Sequence, residues 1–78
     1  MTYEEAKREI SCGRYRHFKG NQYEVLCIGK HTETSEPMVI YKALYGDGDV
    51  WIRPADMWNE EVNRDGKMFK RFSKVANS

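Results

Sequence analysis

Short apolar-aromatic segments separated by tight glycine turns constrain this chain more than any other feature of it. Gly13-Arg14-Tyr15-Arg16-His17-Phe18-Lys19-Gly20 runs into Asn21-Gln22-Tyr23-Glu24-Val25, and Tyr41-Lys42-Ala43-Leu44-Tyr45-Gly46-Asp47-Gly48 is followed by Trp51-Ile52-Arg53-Pro54. Segments of this length and spacing fit a small, mostly antiparallel β-barrel better than a helical or α/β domain. The whole chain is 78 residues, read as one domain. A domain of this size hides only about 60% of the surface its unfolded form exposes. A deep enclosed pocket is therefore not expected, and a ligand site would be a surface groove.

The elements follow from turn and capping chemistry. Thr2-Tyr3-Glu4-Glu5 has the capping-box form, and Tyr3, Ala6 and Ile10 fall on one helical stripe. A short helix is expected over residues 3–11, with Gly13 taking a left-handed conformation past its end. A barrel of about five strands is expected in the region 13–72, drawn from the six segments Tyr15–Phe18, Tyr23–Lys30, Met38–Tyr45, Val50–Arg53 and a last hairpin of Asn59–Arg64 with Lys67–Phe72. The apolar run Val25–Ile28 suggests burial of the second strand on both faces. His31–Pro37 reads as the longest loop, and Ala55–Trp58 as a single helical turn. Asp47-Gly48 carries the strongest hairpin signal, with Asp65-Gly66 a second. Residues 73–78 show no pattern and read as a frayed tail.

Charge and cysteines narrow the function classes. Thirteen basic and twelve acidic residues leave a formal charge of +1, so the strong basic excess of a nonspecific nucleic-acid binder is missing. Local basic faces remain, through Arg14, Arg16 and Lys19 or through Lys67, Lys70, Arg71 and Lys74. Cys12 and Cys27 lack a CxxC spacing, and the opening residues are polar, which points to free thiols in the cytoplasm and away from membranes. Cys12, His17, Cys27 and His31 are ligand types zinc accepts, but their spacing is not that of the familiar zinc half-sites. No metal or cofactor is expected. No nucleophile motif or phosphate loop is present, and the reading is weighted against an enzyme.

Strand periodicity selects candidate site residues. Met38, Ile40, Lys42 and Leu44 carry more aliphatic bulk than Val39, Tyr41, Ala43 and Tyr45, so the first set is expected inside. Val50 and Ile52 likewise are expected inside, leaving Trp51 and Arg53 outward. Tyr41, Tyr45, Trp51 and Arg53 would then form an amphipathic surface on which peptides or planar ligands stack. His17 and His31 add hydrogen-bonding groups that titrate near neutrality.

Together, Gly13, Tyr15, His17-Phe18-Lys19-Gly20, Tyr23, Val25, His31, Glu33-Thr34, Tyr41, Ala43-Leu44-Tyr45-Gly46, Trp51, Arg53-Pro54, Met57, Glu61-Val62, Gly66 and Arg71-Phe72 closely resemble a small bacterial family called domain of unknown function 1653. The resemblance covers nearly the whole chain after the first helix. It implies an SH3-like barrel and lends no activity. The leading expectation is a cytoplasmic binding module with a shallow aromatic and arginine groove for a peptide or partner protein. RNA or single-stranded nucleic acid, contacted through Arg14, Arg16, Lys19 and Arg53 with aromatic stacking, is an alternative. A small metabolite held by His17, His31, Tyr41 and Arg53 is another.

Overall fold

The computed structural model describes residues 1–75. Thr2 caps a short helix, α1 (Tyr3–Glu9): its hydroxyl accepts the Glu5 amide, and the Glu5 carboxylate accepts the Thr2 amide in return. Those two bonds hold the Glu5 carboxyl below its ordinary range. The helix stops at Glu9, short of the expected residue 11. Gly13 does not cap it; at φ 127° it opens the first strand instead.

The strands are β1 (Gly13–His17), β2 (Gln22–Lys30), β3 (Pro37–Ala43) and β4 (Val50–Pro54). After a one-turn helix α2 (Ala55–Trp58) come β5 (Glu61–Arg64), β6 (Lys67–Lys70) and β7 (Phe72–Lys74). Five of them pair in the order β4-β3-β2-β1-β7, antiparallel throughout, while β5 and β6 form a separate hairpin. The fold is mainly β, as expected, but the five-stranded sheet does not close. Among the described residues β4 and β7 do not pair with each other, so each has an open edge.

Ser73 and Lys74 are not a frayed tail. They pair with Arg16 and Tyr15 in β7, and the remainder of the expected tail, residues 76–78, lies outside the described residues. The expected strand Lys67–Phe72 breaks at Arg71 because Phe72 turns into the core, where its ring stacks on Trp58 at 3.7 Å and 2°. Pro37 does join the ladder, opposite Lys30, at the first position of a strand, where a missing N–H is tolerated.

The two faces of β3 are the reverse of the expectation. Val39 and Tyr41 are 0% and 6% exposed and Ala43 is buried, whereas Lys42 and Leu44 face solvent. Val50 and Ile52 are likewise outside, Ile52 at 64%. The reason is the composition of the core. Tyr15, Tyr41, Trp58 and Phe72 fill it with rings, and the small Ala6, Ala55 and Val39 make room for them. Aliphatic bulk therefore misidentifies the inner side.

Nor is β2 buried on both faces. A bulge between Val25 and Cys27 makes Leu26 the extra residue, so Val25 and Ile28 both pack on the core while Leu26 and Cys27 are exposed.

Candidate functional site

The ring cluster comes to the surface at one end of the sheet. Tyr41 on β3 packs edge-on against Trp58 at 4.9 Å, and Tyr23 on β2 against Tyr41 at 5.4 Å. Phe72 on β7 lies opposite His17 on β1, with ring centroids 5.0 Å apart. Over this floor comes Arg53, placed opposite Val39 by the β3–β4 register. Its guanidinium carbon lies 5.8 Å from the Phe72 centroid, and its Nε donates a long 3.5 Å hydrogen bond to the Tyr41 hydroxyl. Among the described residues Arg53 has no carboxylate within ion-pair distance.

Cations dominate the electrostatics here. Burial, with the positive charges of Arg71, Arg53 and Lys19 added, holds the His17 imidazole below its ordinary pKa. The neutral ring accepts the Lys19 amide on Nδ1 at 3.2 Å. Arg71 pairs with Glu60 at 3.1 Å, while its Nε is buried with no acceptor among the described residues. Tyr23 and Tyr45 share a 2.8 Å hydroxyl hydrogen bond. Burial and that bond push the Tyr23 phenol up to about 12, so it is a neutral donor or acceptor and never a base near neutrality. A half-buried guanidinium over an aromatic floor, with one hydroxyl as its side-chain hydrogen-bond partner, is suited to receive an anion.

Four of the six sequence candidates, Tyr41, Tyr45, Arg53 and His17, meet in this cluster, with Tyr41 as buried floor rather than outward platform. Trp51 pairs with Tyr41 across the ladder and is 52% exposed. His31 is elsewhere. It starts the loop at the far end of β2, accepts the Glu33 amide on Nδ1 at 3.2 Å, and its own amide donates to Glu36. A metabolite site using all four polar groups is thereby broken up. Sequence reasoning missed Tyr23, Trp58, Phe72 and Arg71. Of these, only Tyr23 sits on a strand neighbouring the expected patch.

Both cysteines are free and exposed. Among the described residues no three His, Cys, Asp or Glu side chains gather as metal ligands. No helix of the described residues is long and apolar enough to cross a membrane.

Comparison with known proteins fits this architecture. The family model described as "Protein of unknown function (DUF1653)" matches residues 13–74. A crystal structure of a DUF1653 protein from Bordetella bronchiseptica is similar, with 33% identity and a TM-score of 0.80, over 87% of this chain and 90% of that one. No curated protein matches the sequence. The match begins at Gly13, so α1 precedes the family region, and from there to Lys74 the chain belongs to the DUF1653 family.

Proposed function

We propose that this chain is an SH3-like, cytoplasmic binding module that docks an extended acidic peptide segment of a partner protein along the open edge of β4. The observation that carries the reading is Arg53, a partly buried cation over the Phe72 ring, hydrogen-bonded to the Tyr41 hydroxyl, with no carboxylate partner among the described residues. Desolvated arginine is a frequent anchor at interfaces, and an incoming carboxylate would complete its pairing.

The edge supports the same reading. β4 pairs only with β3, and Val50, Trp51 and Ile52 are all more than half exposed. An open, apolar strand edge is a template for an added strand. In such an addition alternate side chains of the incoming segment fall on the Trp51–Arg53 side, and the others beside Val50 and Ile52. Main-chain hydrogen bonds would supply affinity, and Trp51 and Arg53 selectivity.

A random peptide library displayed against the protein tests this. Enrichment of extended sequences carrying Asp or Glu, with affinity lowered at least about tenfold by Arg53→Met, is the expected result. Enrichment indifferent to Arg53→Met would overturn it. Tyr41→Ala is unsuitable as a control, because Tyr41 is core and its truncation would disturb folding.

A further inference from the structure

A surface cavity lies away from the Arg53 guanidinium. It is a groove of about 520 Å³ between the end of β1, strand β6 and strand β7, lined by Arg16, Phe18, Phe69, Lys70 and Lys74 among others. A second hollow of about 370 Å³ shares Phe18 and Phe69 with it and adds Arg64 and Lys67. The two make one continuous path past two phenylalanine rings. Five cations line it against one carboxylate, Asp65. Among the described residues none of the five is in a salt bridge. The Lys74 amine donates to the Cys12 carbonyl at 2.6 Å and to the Ser11 hydroxyl at 3.2 Å, and Arg16, Arg64, Lys67 and Lys70 are the cations left to meet phosphates. The chain as a whole carries only +1, so this charge is concentrated rather than diffuse.

We propose that this groove binds single-stranded nucleic acid. The path is assembled from two sequence runs, Arg16–Phe18 and Arg64–Lys74, that the β1–β7 pairing brings together. It adjoins the Arg53 floor at His17, which lines the groove as well, and Arg14 has no part in it: Arg14 lies opposite Glu24 in the ladder. The backbone of a single strand follows the cations, while bases lie against the rings. Phe69 is 43% exposed on a strand whose four residues are all exposed, and Phe18 is partly exposed with the Lys19 amine 5.8 Å from its ring centroid. Interleaved rings and cations fit a single strand, whose bases stack on the rings while its phosphates follow the cations.

The hairpin itself has no other evident task. β5 and β6 contribute no residue to the core cluster. The Arg71–Glu60 ion pair and the Arg71 amide on the Glu60 carbonyl at 2.9 Å close the base of the ribbon, and the Phe18 amide on the Arg71 carbonyl at 3.0 Å joins that base to the end of β1. An exposed two-stranded ribbon adds little stability of its own. Here it forms one wall of the basic path.

The test is fluorescence anisotropy of a labelled single-stranded oligouridylate titrated with the full chain at several salt concentrations. Binding with a dissociation constant of about 10⁻⁴ M or tighter at physiological salt is expected, with log K falling by roughly 0.7 per phosphate contacted for each decade of salt. Lys67→Ala/Lys70→Ala should reduce that slope by about 1.4. Phe69→Ala should weaken binding about tenfold with the slope unchanged, a signature of lost stacking. Circular dichroism confirms that both variants are folded. Weaker binding than that limit, no response to Phe69→Ala, or equal binding of polyglutamate or of phosphatidylserine vesicles would overturn the proposal.

Discussion

Burial and neighbouring cations set the chemistry of His17. The folded protein holds it below its ordinary pKa of 6.5, by burial first and then by Arg71, Arg53 and Lys19. Below about pH 6.5 the unfolded chain therefore binds more protons than the folded one, and stability rises with pH through that window. The contribution is complete above the unfolded pKa and is lost as pH falls through the lower folded value. Protonation also removes the Nδ1 acceptor of the Lys19 amide. Melting temperatures recorded between about pH 7.5 and 5 should fall with pH, and His17→Gln should flatten that fall. Equal slopes in the two proteins would show that His17 is not the group responsible. None of this was legible from a lone histidine in a strand, because Arg53 and Arg71 are far from it in sequence and reach it only through the packing of β4 and β7 around Phe72.

At the scale of elements, turn chemistry was legible in part. Asp65 and Gly66 both take positive φ, 54° and 78°, the combination a type I′ turn needs, and β5 and β6 meet across it in the expected register. The stronger-looking Asp47-Gly48 is no such turn. Six residues, Leu44 to Asp49, separate β3 from β4, and the positive φ values fall on Gly46 and Gly48. Glycines on both sides of Asp47 allow the longer loop, which the dipeptide alone does not reveal. Gly66 yields an element-scale prediction. A β-carbon would meet nothing within 4 Å, so the penalty of Gly66→Ala is conformational alone, about 1–2 kcal/mol. Because the hairpin lies outside the core, amide exchange should accelerate over Glu61–Lys70 while the five-stranded sheet keeps its protection. Uniform loss of protection throughout the chain would show instead that the hairpin is integral to folding.

For the whole molecule, the mainly β class and the N-terminal helix were readable from spacing and capping, and the grouping of Tyr41, Trp51 and Arg53 on one face from the two-residue strand period. Which side of the sheet is inside was not. The aliphatic Met38, Ile40 and Ile52 lie on the outer face, because rings contributed by α2 and β7, distant in sequence, fill the inner one. A core built by Trp58 and Phe72 becomes visible only once β7 is known to pair with β1. The same pairing carries two surfaces at once: it sets Phe72 beneath Arg53, and it brings β7 residues into the lining of one groove with Arg16.

The most direct measurement is a ¹⁵N–¹H correlation titration of the full chain with the acidic peptide selected on it. Shift changes and slowed amide exchange concentrated on Val50 to Arg53, with Tyr41 and Tyr45 following, are expected of a strand added to β4. Changes confined to Phe18, Phe69 and Lys70, with Val50–Arg53 unmoved, would contradict peptide docking at the β4 edge.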